Sequence, residues 1–170
     1  MDYIAHYHSP LGGITMASDG KALVGLWFDG QRHFAQTLSA QHTVCSNLPV
    51  FELTRHWLNL YFSGIEPSFT PSIVLRTSHF HRCVSAIVQN IPFGHTSTYG
   101  DIARAIVRQH GAVAVSARAV GSAIGHNSIM LIVPCHRVLG ANGKLTGYAG
   151  GIKLKAQLLQ LEQWRGGITL

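Results

Sequence analysis

Apolar and polar positions in the first thirty residues fall into short strand-like bursts. Tyr3-Ile4-Ala5-His6-Tyr7, Ile14-Thr15-Met16-Ala17 and Leu23-Val24-Gly25-Leu26-Trp27-Phe28 are the bursts, and Ser9-Pro10-Leu11-Gly12-Gly13 and Ser18-Asp19-Gly20-Lys21 are turn sequences between them. They predict a small antiparallel meander. The stretch from Pro49 to Phe62 reads as a helix that ends near Ser63-Gly64, and Glu66 to Pro71 reads as a crossing linker.

The period then changes. Phe80, Cys83, Val84, Ile87, Val88 and Ile91 recur at helical spacing, which predicts an amphipathic helix over 79–90, stopped by Pro92-Phe93-Gly94. Thr98-Tyr99-Gly100-Asp101 resembles a capping box and opens a second helix to about Gln109. A third helix is expected from about Val115 to Ile124, with Ala117, Val120, Gly121 and Ile124 on one face, ended by Gly125-His126-Asn127. Two short helices in this succession have the outline of a helix-turn-helix, which by itself is weak evidence. Ile129-Met130-Leu131-Ile132-Val133 reads as a buried strand, and a glycine-rich segment from Gly140 to Gly151 precedes a last helix with Leu154, Leu158, Leu159, Leu161 and Trp164. The fold class expected is α/β (α+β). It comprises a small antiparallel sheet with a helix over 1–76, then a mainly helical, winged helix-turn-helix-like domain over 77–170.

Charge sharpens the division. Residues 1–75 carry three basic groups (Lys21, Arg32, Arg55) against five acidic ones, while residues 76–170 carry ten against only Asp101 and Glu162, a balance of +8. A basic half is the footprint of a polyanion-binding surface, although charge alone does not exclude a merely soluble basic protein. Hydrophobic content of 46% supports a packed core, no apolar run approaches the length of a membrane span, and Met1-Asp2-Tyr3-Ile4 lacks the basic-then-apolar layout of a secretory signal. The expectation is a cytoplasmic protein, nucleoid-associated in a prokaryote. The three cysteines (Cys45, Cys83, Cys135) lack CxxC spacing, which argues against a disulfide framework or a cysteine-rich zinc site.

The sharpest chemical feature is Pro134-Cys135-His136-Arg137-Val138, directly after the apolar run. A thiol is only slightly ionised near neutrality, so a nucleophilic cysteine needs a base or a positive environment, which His136 and Arg137 could supply. Glu162, the lone carboxylate of the last fifty residues, could orient that histidine. Read singly, each residue also has an ordinary explanation. Cys135 can be a buried cysteine beside a histidine by chance, Tyr99 a capping tyrosine, and Arg118 a solvated helix residue. Asn127 can be a helix C-cap, and Glu162 a surface partner of Lys155 or Arg165.

Taken together, the motifs are identifiable. Arg118-Ala119-Val120-Gly121, Asn127, Pro134-Cys135-His136-Arg137-Val138, Gly143, Gly147-Tyr148-Ala149-Gly150-Gly151, Lys155, Leu158-Leu159 and Glu162 closely resemble the O6-alkylguanine-DNA alkyltransferase family. Upstream, Ile91-Pro92-Phe93-Gly94, Thr98-Tyr99-Gly100 and Ile102-Ala103 are similar to that family's approach to its helix-turn-helix. Ser9-Pro10-Leu11-Gly12 and Leu60-Tyr61-Phe62-Ser63-Gly64 fit its more variable first domain.

The resemblance implies repair of O6-alkylguanine, and of O4-alkylthymine, in DNA by base flipping and one irreversible transfer. Cys135 would be the alkyl acceptor, His136 its base through a bridging water, Glu162 the residue holding the histidine, and Asn127 the hinge. Tyr99, Val138, Tyr148, Ala149 and Gly150 would line the base pocket, with the Cys135 and Val138 carbonyls reading the guanine amino group. Arg118, Ala119, Gly121 and Tyr99 would meet DNA, Arg118 filling the gap left by the flipped base. The partner implied is double-stranded DNA bound through the minor groove by a monomer, with no membrane and no cofactor.

Some positions depart from the family pattern. Ser128 replaces a proline after the hinge asparagine, Ser85 a tryptophan and His81 a glutamine. The connection between Tyr99 and Arg118 is about five residues longer than expected, around Arg108-Gln109-His110-Gly111. Some family members carry zinc in the first domain. Here the cysteines that would complete such a site are missing, so the H-x-H pairs His6/His8 and His79/His81 leave the expectation at no metal. Two rival functions are a Cys–His hydrolase, which would turn over, and a lesion sensor without chemistry, for which a replaced cysteine would speak.

Overall fold

A computed structural model describes residues 1–163 and resolves two compact units, Met1–Arg76 with Ser128–Ile132, and Thr77–Asn127 with the chain from Val133 onward. Trp164, placed in the last helix by its spacing, and Arg165 lie outside the described residues.

In the first unit, β1 (Asp2–Ser9), β2 (Gly12–Ser18) and β3 (Leu23–Phe28) form the expected antiparallel meander. A short β4 (His42–Val44) adds to β1 in parallel, so the sheet is mixed, in the order β3-β2-β1-β4. All three β4 residues are exposed, which is why no hydrophobic pattern announced the strand. Every residue of β3 is buried. Its outer edge is hydrogen-bonded by two other segments: Leu23 N to Ser72 O at 2.8 Å, and Leu26 N to Ser128 O at 2.8 Å. Those bonds cap an edge that would otherwise offer unpaired backbone groups.

Helix α1 (Pro49–Phe62) starts on a proline whose missing N–H is no loss there, and buries Phe51, Trp57, Leu58 and Tyr61. Gly25 is required by Trp27, because a Cβ at position 25 would fall 1.8 Å from the indole ring. Asp2, 1% exposed, accepts from Arg76 Nη1 at 2.6 Å and Nη2 at 2.8 Å, fastening the first strand to the end of the unit.

The run 129–133 is buried as expected but is not a strand. It makes one bridge, Leu26 to Ile129, and then turns at Leu131, whose φ of 69° is left-handed. A fully buried apolar run of this length carries no period that separates a strand from an irregular segment.

In the second unit, α2 (His79–Gln89), α3 (Tyr99–His110) and α4 (Ala117–Gly125) pack on one another. Both halves of the Thr98/Asp101 capping box form at the start of α3. Gly111, at φ 64°, caps the far end of α3, and residues 112–116 follow as a loop. On α4 the buried residues are Val120, Ala123 and Ile124, while Ala117 is exposed at the helix start and Gly121 is half-buried. A two-residue parallel ladder pairs β5 (Ser97–Thr98) with β6 (Val138–Leu139). Helix α5 (Ile152–Leu161) follows, with Leu159 packed on Leu139 and Leu145.

Candidate functional site

The site is built in the second unit from three short backbone devices. Pro134 leads into a single 3-10 turn, Cys135–Arg137, with Cys135 N bonded to Val133 O at 2.8 Å. The β5–β6 ladder places Thr98 opposite Leu139, so Tyr99, the first residue of α3, begins beside the chain leaving that turn. Asn127 follows the end of α4, where His126 is the cap.

Cys135 is 3% exposed and His136 fully buried. Asn127 Nδ2 donates to Val133 O at 2.9 Å and to Cys135 Sγ at 3.1 Å. His136 Nε2 meets Glu162 Oε1 at 2.6 Å. A carboxylate can only accept, so Nε2 carries the hydrogen and Nδ1 is the basic nitrogen.

Glu162 is held from three further directions. Arg137 Nε donates to Oε2 at 2.8 Å, Arg137 Nη2 to Oε1 at 3.0 Å, and Gly94 N to Oε2 at 3.2 Å. Arg137 in turn bonds Ile91 O at 2.7 Å and lies over the Phe93 ring. Burial alone would raise Glu162, but the hydrogen bonds from His136 and Arg137 and the Arg137 charge oppose it, and the carboxyl is held down at about 2.

Burial pushes the Cys135 thiol up, opposed by the Asn127 hydrogen bond and the Lys155 charge. It also lowers His136, against the pull of Glu162, which favours the neutral, base-competent imidazole. Lys155 is fully buried and donates to the carbonyls of Val138, Thr146 (3.0 Å) and Gly147 (3.3 Å). Burial pushes its ammonium down to about 8, and the Cys135 charge acts in the opposite direction.

The other expected residues gather around the same turn or along α4. Tyr99 is half-buried, its hydroxyl donates to Thr146 O at 3.4 Å, and its ring runs beside Gly121, where an added Cβ would stand 3.7 Å away. The Val138 carbonyl already accepts from Lys155. Tyr148 is buried against Gly150, where a Cβ would come within 3.1 Å of the ring, and Ala149 is half-buried between them. Arg118 and Ala119 are exposed on the first turn of α4. A cavity of about 440 Å³ opens beside them, lined by Tyr99, Asp101, Arg104, Ala117, Ala141 and Asn142 among others.

The sequence offered Lys155 only as a surface partner of Glu162, and Arg137 without a partner; Glu162 is instead buried against His136 and Arg137, and Lys155 binds carbonyls. The signal for Lys155 was its place one turn before Leu158 and Leu159, on a helix face that is otherwise apolar. Among the described residues, no group of three or more His, Cys, Asp or Glu side chains is arranged to hold a metal ion.

Fold and site together define a class of protein in which a helix-turn-helix unit carries an enclosed thiol next to a hydrogen-bonded histidine–carboxylate pair. Residues 79–164 match the 6-O-methylguanine DNA methyltransferase DNA binding domain, and residues 3–74 match the ribonuclease-like domain of the same methyltransferases. The chain is 43% identical over 169 residues to the methylated-DNA–protein-cysteine methyltransferase of Mycobacterium tuberculosis, covering 97% of this chain and 96% of that one. It is 38% identical over 160 residues to the Methanosarcina acetivorans protein of the same name, covering 94% and 97%. The crystal structure of Mycobacterium tuberculosis OGT in complex with DNA superimposes with a TM-score of 0.81 at 40% identity, covering 95% of this chain and 92% of that one. The chain belongs to the 6-O-methylguanine DNA methyltransferase family.

Proposed function

We propose that this chain repairs O6-alkylguanine in DNA by moving the alkyl group, once and irreversibly, onto Cys135. It is a DNA-binding repair protein with methylated-DNA–protein-cysteine methyltransferase activity. The observation that carries the residue assignment is the buried set in which Asn127 donates to Cys135 Sγ and Glu162 holds His136.

His136 takes the thiol proton and the thiolate attacks the alkyl carbon. A carbon–sulfur bond forms as the carbon–O6 bond breaks, and guanine leaves with the bonding electron pair and gains a proton. The product is a thioether that no neighbouring group can hydrolyse, so each molecule acts once. A stacked guanine cannot present its O6 substituent to an enclosed thiol, so the base is rotated out of the duplex at a cost of a few kcal/mol. Arg118 on the exposed first turn of α4 enters the minor groove and fills the gap, while Ala119 and Gly121 let that helix approach the backbone closely. Tyr99 borders the rotated nucleotide. Val138, Tyr148, Ala149 and Gly150 line the base pocket, and O4-alkylthymine is a second substrate of the same geometry. Duplex DNA as ligand, a monomeric state and a cytoplasmic, nucleoid-associated location complete the reading. No helix among the described residues is long and apolar enough to cross a membrane.

The test is a duplex with a labelled methyl on guanine O6. Label should stay with the protein through denaturation, and Cys135→Ser should take none. Label on the variant, or release of free methanol by the wild type, would refute the assignment of Cys135.

A further inference from the structure

Helix α3 carries two arginines on its exposed face, Arg104 and Arg108, one turn apart. Arg104 is anchored. Its Nη2 pairs with Asp101, whose other oxygen accepts from Thr98, and its Nη1 lies over Gly100, where an added Cβ would stand 3.4 Å away. Asp101 is the only carboxylate between residues 77 and 161, so this stretch of the chain is strongly cationic.

Two cavities meet at Arg104. One is the 440 Å³ opening at Tyr99 and Ala117. The other, about 330 Å³, has an apolar floor of Ala103, Val107, Ala114 and Val115 and a rim of Arg104 and Arg108. Its second wall is the loop after Gly111, which contributes Ala114 and Val115.

We infer that this second cavity is an additional groove for one strand of the substrate duplex, running from the site mouth along α3 to Arg108. The inference rests on the repair reading above. Its occupant is the deoxyribose-phosphate backbone, with sugar carbons on the apolar floor and phosphates at the two guanidinium groups. Arg104 and Arg108 are separated by a rise of about 6 Å along α3, close to two base steps of about 3.4 Å measured along the duplex axis. Continuity with the opening at Tyr99 and Ala117 makes the strand that delivers the lesion the one that fills the groove.

Each phosphate neutralised adds about one to the steepness of log K against log salt concentration. Affinity for a lesion-bearing duplex, measured by fluorescence anisotropy across a salt series, should therefore lose about one unit of slope in Arg104→Gln and in Arg108→Gln, and about two in the double variant. Arg108→Lys should keep the wild-type slope. Arg55→Gln, on α1, should also keep it, as a control for charge alone. A double variant with the wild-type slope would overturn the groove. Methyl transfer to wild-type Cys135, followed in parallel, separates the two ideas, because its absence would refute the repair reading while the slopes still decide the groove.

Discussion

Asn127 Nδ2 donates to Cys135 Sγ at 3.1 Å while holding Val133 O at 2.9 Å. One amide therefore ties the end of α4 to the backbone before the thiol and to the thiol itself. Burial disfavours the Cys135 thiolate, and this hydrogen bond opposes that effect. A hydrogen bond to a charged group contributes about 1.5–3 kcal/mol. Asn127→Ala should slow single-turnover methyl transfer by about 10- to 100-fold, with the thiolate titrating at higher pH by ultraviolet absorbance. A variant with the wild-type rate would remove Asn127 from the chemistry.

Glu162 and His136 both make the second unit sensitive to acid. The Glu162 carboxyl is held at about 2 when folded, below its ordinary 4.5, so its ionised form stabilises the folded chain. That contribution is fully present above pH 4.5 and is lost as pH falls from 4.5 towards 2. His136 is also depressed, from 6.5, so the unfolded chain takes up its proton first and folding weakens as pH drops below 6.5. Urea midpoints should decline below pH 6.5 and more steeply below 4.5, with the steeper phase missing in Glu162→Gln. Because His136 stays neutral when folded, the acid limb of methyl transfer should lie below 6.5.

Lys155 serves the site in two ways. As an ammonium it favours the Cys135 thiolate, and it gathers three carbonyls of the segments that follow the thiol. A neutral amine has one donor fewer and no charge. With its folded pKa near 8, transfer in the wild type should flatten or fall above about pH 8, instead of rising with thiolate formation. Lys155→Met should reduce transfer at least about tenfold at neutral pH and abolish the alkaline break in a rate–pH series.

In the first unit, Gly25→Ala drives a methyl into the Trp27 ring. Overpacking of this kind costs about 1–3 kcal/mol. Thermal unfolding followed by tryptophan fluorescence should show a lowered midpoint, with a change in the Trp27 signal. An unchanged midpoint would mean the indole has room to move.

The meander, α1 and the three helices of the second unit were legible because each keeps its period between clear turn or capping residues, as at Thr98 and Gly111. β4 was not, because Thr43 and its neighbours are exposed and owe their pairing to β1 alone. Residues 129–133 misled because burial, not strand geometry, makes them apolar. For the site, the motif around Cys135 pointed to the thiol, the lone late carboxylate pointed to Glu162, and the resemblance to known alkyltransferases pointed to Asn127. The network that fixes Glu162 spans Ile91, Gly94 and Arg137, far apart in sequence and joined only by folding.

Intact-mass analysis after mixing with an O6-methylguanine duplex reads the single, permanent transfer to Cys135 on the protein itself. The expected result is a gain of one methyl group, saturating at one per molecule and mapped to the peptide that holds Cys135. An unchanged mass despite tight binding, or a methyl mapped to Cys45 or Cys83, would contradict it.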